Sequence, residues 1–423
     1  MNPWAVIASG AVLGGYATVS RRLSTTVLSG PMVLVTCGLA VGPLGLDLID
    51  RAHDAEVVRV LLESALALVL FTGAAAVRRR ELHRERSLPV RLLAVGLPLT
   101  MLLGWLLAWA LLPGLGVWQL ALIGIVLAPT DAALGQQAVS DRRVPAPVRH
   151  GLSVESGLND GIVLPFFVLA LAAAAGGHGG GRGPLAAFLL ALVASSAVGL
   201  AAGWLGARLL RWSAARDRST PGWRQILVLT VPATTYALCV VIDGSGFIGA
   251  WVAGLAFGSA LRDRTPAGRP PATDDDIRHG VEFSDRLGEL LAALSFLVFG
   301  AVILGPTLER IDGRMVLYAV LSLTLVRMVP VAVALLGSGL RAPTVAYIGW
   351  FGPRGLASVV FGLIAFEEQL PGTELFSAVV AVTVAFSVYA HGASAAVLGA
   401  RYGSWYADAV HRVPELREKG SGP

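Results

Sequence analysis

Three acidic side chains lie deep inside long apolar stretches of this sequence. Asp131 falls in one stretch, and Glu155 and Asp160 fall in the next one along the chain. An isolated carboxylate in hydrocarbon is so costly that it binds a proton rather than stay charged. Three acids in two consecutive apolar stretches therefore indicate a polar, hydrated cavity in which carboxylates bind and release protons.

The first of these stretches contains a signal for a broken helix beside its acid. Pro129 removes one backbone hydrogen bond and clashes with the preceding turn. Unwound backbone in the middle of a membrane is tolerated only where it lines a cavity or is buried in protein. The oxygens of Thr130 and Asp131 at this break suit a hard alkali cation, and we predict Asp131 and Asp160 as its carboxylate ligands. The alternative is a proline kink beside a hydrogen-bonded acid.

The second stretch presents two polar helix faces. Ser156 and Asp160 are four residues apart and share one face, whereas Glu155 and Asn159 share the adjacent face. The first face can present a hydroxyl and a carboxylate to the cation site. The second face can hold Glu155 and Asn159 against a neighbouring helix.

Two arginines lie at comparable depth in the second half of the chain. Arg327 falls at the centre of the eleventh apolar stretch and Arg354 falls within the twelfth. Charges at such depth are rare and are usually paired. We expect Arg327 to pair with Glu155, with Arg354 as the second candidate. Such a pair would support the site without carrying the ion.

The twelfth stretch contains a second signal for a broken helix, in the run Gly352-Pro353-Arg354-Gly355. The fifth and twelfth stretches are seven apart, so they cross the membrane in opposite directions, as an inverted repeat requires. Arg354 would then offset the negative charge where the two breaks cross. A plain Gly/Pro kink is the alternative.

These residues must be positioned by membrane-spanning helices. The chain has 423 residues, of which 55% are hydrophobic and 14% are charged, against about 25% charged in a soluble domain. A helix needs about 20 residues to span the hydrocarbon core. We therefore predict an all-α polytopic membrane protein with thirteen transmembrane helices. The predicted spans lie near 3–20, 26–44, 58–77, 89–112, 118–138, 149–175, 184–211, 223–241, 247–262, 286–305, 315–337, 343–365 and 374–400.

The distribution of basic residues tests this division and predicts the orientation. Odd-numbered connections and the C-terminal tail hold 26 of the 33 Lys and Arg residues, whereas even-numbered connections hold 5. Basic residues accumulate on the cytoplasmic side, so we place the N-terminus outside and the C-terminus in the cytoplasm. The net charge of +5 then reflects topology, and no nucleic-acid partner is expected. We predict a membrane domain over 1–402, with repeats at about 3–175 and 223–400, and a short cytoplasmic tail over 403–423.

Two connections stand out by composition. The longest, roughly 263–285, contains Asp274, Asp275 and Asp276, and we interpret it as a solvated loop, with a regulatory or ion-sensing role as the alternative. The Gly-rich segment 176–183 is predicted to be a flexible external linker.

Three sequence blocks support a resemblance to a known family. They are Pro129-Thr130-Asp131, Glu155-Ser156-Gly157-Leu158-Asn159-Asp160-Gly161 and Gly352-Pro353-Arg354-Gly355. In their order, spacing and depth the chain resembles the NhaP-type sodium/proton antiporters of the monovalent cation:proton antiporter family, from about residue 10 to 400. The resemblance implies a homodimer in the inner cell membrane. Each protomer would have a core domain and a dimerisation domain and would work by an elevator-like motion.

The resemblance also implies roles for the site residues. Asp160 would bind either the ion or a proton, Asp131, Thr130 and Ser156 would complete the ion's shell, and Glu155 would pair with Arg327. Electrogenic relatives carry an Asp where this chain has Asn159, which implies electroneutral exchange. The family often has Pro after the first Asp, whereas this chain has Ala132.

We therefore expect a secondary transporter that exchanges a monovalent cation, with Na+ expected ahead of Li+ and K+, for H+. It is not expected to be an enzyme or to need a cofactor. A K+/H+ antiporter, or an organic-anion transporter of the same fold, is the alternative, although anion transport would need more cationic side chains in the cavity. An ion channel and an intramembrane aspartyl protease are further alternatives. The Gly-x-Gly-Asp-type pattern of the protease is not seen in the sequence.

Overall fold

The computed structural model describes residues 3–23, 26–49, 51–77, 87–175, 184–262, 272–368, 370–412 and 418. Within these residues, each predicted span coincides with a helix or with consecutive helical pieces. In chain order they are α1 (Pro3–Leu23), α2 (Gly30–Val41), α3 (Arg51–Ala76), α4 (Ser87–Arg91, a π-helical turn at Leu92–Gly96, and Leu97–Leu111), α5a (Val117–Val126), α5b (Ala132–Ser140), α6 (Ala146–Ala174), α7 (Pro184–Ala215), α8 (Pro221–Val241), α9 (Gly246–Arg262), α10 (Ala272–Val298, a π-helical turn at Phe299–Leu304, and Gly305–Leu308), α11 (Gly313–Leu323 and Leu325–Ala334), α12a (Ala342–Trp350), α12b (Leu356–Glu367) and α13 (Thr373–Arg412).

The helices have the lengths and compositions of membrane spans. In the described part of the chain, 8 helices are long and apolar enough to cross a membrane. A second group is apolar but shorter, and consists of Gly30–Val41, Val117–Val126, Gly246–Leu261 and Leu356–Glu367. Two of these shorter helices, α5a and α12b, are halves of the spans that carry a proline break. The predicted all-α polytopic membrane architecture is confirmed.

Helix α10 begins earlier than the sequence indicated. Residues 263–271 lie outside the described part of the chain, but the helix starts at Ala272, so the predicted loop over 263–285 is wrong from that residue onward. Pro271 directly precedes the helix, and Asp274, Asp275 and Asp276 fall near its start. Proline is tolerated at the start of a helix, and acidic residues are stabilised at the positive end of the helix dipole. The charge run was interpreted as loop although it also fits a helix N-terminus.

Two other predicted segments lie wholly or partly outside the described residues. The Gly-rich linker at 176–183 lies outside the described residues. Helix α13 continues to Arg412, so the predicted tail over 403–423 begins inside a helix. Residues 413–417 and 419–423 lie outside the described part.

The chain forms two compact units. The first unit comprises Met1–Val60, Arg84–Asn159 and Ala293–Pro423, and the second comprises Leu61–His83 and Asp160–Ala292. Each unit has an apolar core of its own. Core residues of the first include Leu92, Val331, Ile348 and Tyr402; those of the second include Phe71, Leu210, Val228 and Phe257. The predicted repeats at about 3–175 and 223–400 stay a prediction.

In the second unit, α7 packs closely against α9. A Cβ atom on Gly199 would lie 2.6 Å from the carbonyl oxygen of Gly249, and one on Gly203 would overlap the carbonyl oxygen of Ala253. These glycines let the two helix backbones come into contact, as small residues do where membrane helices pack.

Candidate functional site

Two broken helices meet within the first unit. Helix α5a ends at Val126 before α5b begins at Ala132, and α12a ends at Trp350 before α12b begins at Leu356. Pro129 and Pro353 lie in these breaks, where proline cannot continue the helical hydrogen bonding. The two breaks are hydrogen-bonded to each other, because Asp131 N donates to the carbonyl oxygen of Pro353 at 2.7 Å. The predicted pairing of two discontinuous spans is confirmed.

Residues at the break in α12 satisfy the carbonyls left free at the end of α5a. Ser358 Oγ donates to Val126 O at 2.7 Å. Arg354 Nη1 donates to Ala128 O and, at 3.0 Å, to Pro129 O. The carbonyls of Ala128 and Pro129 directly follow the negative C-terminal end of α5a, so the buried guanidinium of Arg354 lies where a positive charge is stabilised. Arg354 thus places its positive charge against the carbonyl groups that follow α5a, where the two breaks cross.

Asp131 places its carboxylate at two helix N-termini. Its Oδ1 accepts a hydrogen bond from Leu134 N at 3.1 Å at the start of α5b. Its Oδ2 accepts one from Leu356 N at 2.7 Å at the start of α12b. A Cβ on Gly355 would overlap this carboxylate, so the close approach requires a glycine there. Negative charge is favourable at both positions. Asp131 therefore caps two half-helices, and its role as a cation ligand stays a prediction.

Thr130 joins the break in α5 to α6 through two hydrogen bonds. Its Oγ1 accepts from Asn159 Nδ2 at 2.7 Å and lies 3.0 Å from Ser156 Oγ. Thr130 is 1% exposed and Asn159 is fully buried. Asn159 Oδ1 has no hydrogen-bond partner among the residues that the structure describes. The structure thus brings together three predicted site residues, and their oxygens are of the kind that binds alkali cations.

Glu155 and Arg327 form a bidentate ion pair. Arg327 Nη1 donates to Glu155 Oε1 at 2.6 Å, and Arg327 Nη2 donates to Oε2 at 2.9 Å. Both side chains are 1% exposed. The predicted pairing is confirmed, and Arg354, the second candidate, instead contacts α5a. A Cβ on Gly352 would overlap the guanidinium of Arg327, so the pair lies directly against the break in α12.

Asp160 follows Asn159 on α6 and is buried, within the second unit. In that unit, the indole of Trp251 on α9 packs so closely on Gly161 that any Cβ there would overlap it. The buried Nε1 of Trp251 donates to no acceptor in the described part of the chain. Sequence reasoning missed Trp251, because one tryptophan in an apolar helix carries no sign of its position.

Helix α13 supplies a second set of residues that sequence reasoning missed. Arg354 N donates to Ser387 Oγ at 2.6 Å, and Ser387 Oγ lies 3.2 Å from His391 Nδ1. His391 Nε2 lies 2.9 Å from Trp350 O and Nδ1 lies 2.9 Å from Ser387 O, so whichever ring nitrogen carries the hydrogen donates to a carbonyl. The network therefore connects both sides of the break in α12. The available signal was a Ser and a His four residues apart on an otherwise apolar helix.

Comparison with known proteins agrees with this architecture. The sequence description of the transmembrane sodium/hydrogen exchanger family matches residues 7–400. A structure of the sodium proton antiporter MjNhaP1 from Methanocaldococcus jannaschii superposes with a TM-score of 0.74 at 22% identity. The match covers 92% of this chain and 98% of that one.

Two curated relatives are similar over different lengths. A K(+)/H(+) antiporter NhaP from Alkalimonas amylolytica is 25% identical over 379 residues, which is 88% of this chain and 62% of that protein. A Na(+)/H(+) antiporter from Saccharomyces cerevisiae is 34% identical over 145 residues, which is 32% of this chain and 14% of that protein. The chain thus spans less than two thirds of either relative. From the family match and the NhaP-type fold, with its two broken helices joined at Asp131 and Arg354, we conclude that the chain belongs to the transmembrane sodium/hydrogen exchanger family.

Proposed function

We propose that this protein exchanges a monovalent cation for protons across the membrane, and that Asp160 binds either the ion or the proton. The observation that carries the proposal is the hydrogen-bonded cluster of buried Thr130, buried Asn159 and half-buried Ser156 at the break in α5. Asp160 lies one helical turn after Ser156, so α6 presents a hydroxyl and a carboxylate on the same face. Membership of the sodium/hydrogen exchanger family supports the same activity.

The mechanism follows from one carboxylate with two exclusive occupants. Asp160 is buried, and a buried carboxylate needs a bound proton or a bound cation to compensate its charge. A cation that binds therefore displaces the proton, and oxygens of Thr130, Ser156 and Asp131 complete its shell. Each crossing of the membrane then carries one occupant or the other.

Sodium is the cation we propose, and potassium is the second candidate. A relative that matches 88% of this chain is named as a K(+)/H(+) antiporter, whereas the yeast relative, matched over 32% of the chain, is named as a Na(+)/H(+) antiporter. Hydroxyl, amide and carboxylate oxygens suit both ions, and small changes in their spacing set the preference.

We further propose that the protein is a homodimer of the inner cell membrane, in which each protomer has a core domain and a dimerisation domain. The excess of basic residues in odd-numbered connections supports an external N-terminus and a cytoplasmic C-terminus.

Replacing the proposed carrier group tests the function. In everted vesicles or proteoliposomes, adding Na+, Li+ or K+ should collapse an imposed proton gradient with the wild-type protein and leave it unchanged with Asp160→Asn. The amide keeps the size of the side chain but neither ionises nor exchanges a proton at working pH. Asp408→Asn, at an exposed position near the end of α13, is the matched control and should behave as wild type. Undiminished cation-dependent proton flux in Asp160→Asn would refute the proposal.

A further inference from the structure

A groove lies between α7 and α9 in the second unit. Its volume is about 730 Å3, and it is lined by Ala197, Leu200, Ala201, Trp204, Arg211, Ala256, Ser259 and Ala260. The lining consists mainly of alanines from both helices, with Trp204 midway along α7 and Arg211 at one end. The proposed function uses none of these residues.

The groove is long enough to cross the hydrocarbon of one membrane leaflet. Along α7, positions 197 to 211 span roughly 21 Å at 1.5 Å per residue, against about 15 Å for half of the hydrocarbon core. Alanines on both helices leave the channel open, while Gly199 and Gly203 hold the two backbones together behind it. Leu200 is 56% exposed and Trp204 is 50% exposed, so the groove faces outward from the second unit. Its shape and chemistry fit an extended acyl chain.

Positive charge is concentrated at the Arg211 end of the groove. The guanidinium of Arg208 lies over the ring of Trp204 at 5.1 Å, and Arg218 lies over Trp212 at 4.8 Å. Between residues 204 and 224 the chain has five arginines and one acid, Asp217, which pairs with Arg224 at 3.4 Å. Tryptophan and arginine at a helix end are typical of the membrane–water interface, where anionic headgroups lie.

We propose that this groove binds one anionic phospholipid from the leaflet at the Arg211 end. Its phosphate contacts Arg211 and Arg208, and one acyl chain lies along the alanines of α7 and α9. A second copy of the chain fits this surface less well. In a two-fold contact, the same patch meets itself, so each cluster of arginines would face an identical cluster. An anionic lipid instead neutralises the charge and fills the apolar channel.

Lipid retention by the purified full-length protein tests the proposal. Native mass spectrometry in detergent should show a bound phosphatidylglycerol that phosphatidylcholine does not replace. Arg211→Gln should weaken retention about fivefold, the change expected when one arginine at an anionic membrane surface is lost. Ala201→Phe should abolish it by filling the channel without changing charge. Arg401→Gln, at an exposed arginine on α13, should retain lipid as wild type does.

Four outcomes would overturn the proposal. Equal retention of the two lipids would remove the charge argument, and wild-type retention by both Arg211→Gln and Ala201→Phe would place the lipid elsewhere. Displacement of the lipid by inorganic phosphate at matched concentration would indicate a simple anion site. Conversion of a dimer to a monomer by Ala201→Phe would assign the groove to a second copy.

Discussion

At the scale of single residues, the ion pair between Glu155 and Arg327 shows how an acid can be kept charged deep in the protein. Two hydrogen bonds satisfy both carboxylate oxygens, at 2.6 and 2.9 Å, and neither side chain is more than 1% exposed. Such a pair adds little net stability, but removing one partner leaves a buried charge without compensation. This agrees with the structural role for Glu155 expected from the sequence.

Arg327→Ala should therefore destabilise the protein by about 3–5 kcal/mol, because Glu155 would be left buried and unpaired. Thermal unfolding in detergent measures the loss. The double variant Glu155→Leu with Arg327→Met removes both charges and should recover most of the stability, since an apolar pair of similar volume is often neutral. A wild-type melting curve for Arg327→Ala would show that the pair is not what holds Glu155 in place.

At the scale of elements, the crossing of α5 and α12 is held by exchanged helix caps. Asp131 from the first break caps α12b as well as its own α5b, and Arg354 from the second break contacts the carbonyl end of α5a. Each side chain thus satisfies backbone groups that the break exposes, which is the requirement for unwound backbone at membrane depth. Ser387 and His391 on α13 extend the same support to both sides of the break in α12.

Capping and ion binding by Asp131 can be separated by two substitutions. Asp131→Ala loses both caps and should cost about 1–4 kcal/mol, at about 0.5–2 kcal/mol for each cap. Asp131→Asn keeps one capping oxygen and should lose less stability. If Asp131 is also a cation ligand, Asp131→Asn should weaken the apparent cation affinity of exchange at temperatures at which the variant is still folded. Equal stability of the Ala variant and wild type would argue against the caps.

At the scale of the whole molecule, the charges near the crossing largely cancel. Glu155 is paired with Arg327, and Asp131 faces two positive helix ends. Asn159, next to Asp160, is uncharged and donates to Thr130. Under the proposed function, Asp160 is the group that changes its charge, and one proton would exchange for one monovalent cation.

Exchange should therefore be electroneutral. In proteoliposomes, proton flux driven by Na+ should proceed at the same rate whether or not valinomycin and K+ shunt the membrane potential, because no net charge moves in a cycle. A shunt that accelerates flux several-fold would show a different stoichiometry and a second titrating group. Asp160→Asn proteoliposomes give the leak rate to be subtracted.

Local features were predictable from the sequence because they depend on residues close together in the chain. Hydropathy placed the membrane spans, Pro129 and Pro353 marked the two breaks, and four-residue spacing placed Ser156 and Asp160 on one face of α6. The predicted start of α10 was wrong because acidic residues suit a loop and a helix N-terminus equally, and the helix begins at Ala272.

Only the tertiary structure decided which groups become partners. Glu155 pairs with Arg327 rather than Arg354, and Asp131 uses its oxygens to cap helices, one of them on a distant part of the chain. Trp251 and His391 gained their positions from packing, as did the groove between α7 and α9. The physical reason is that a buried polar group is stabilised by whatever complementary group the crossing helices bring within hydrogen-bond distance. That distance depends on how helices pack, which no short-range pattern in the sequence records.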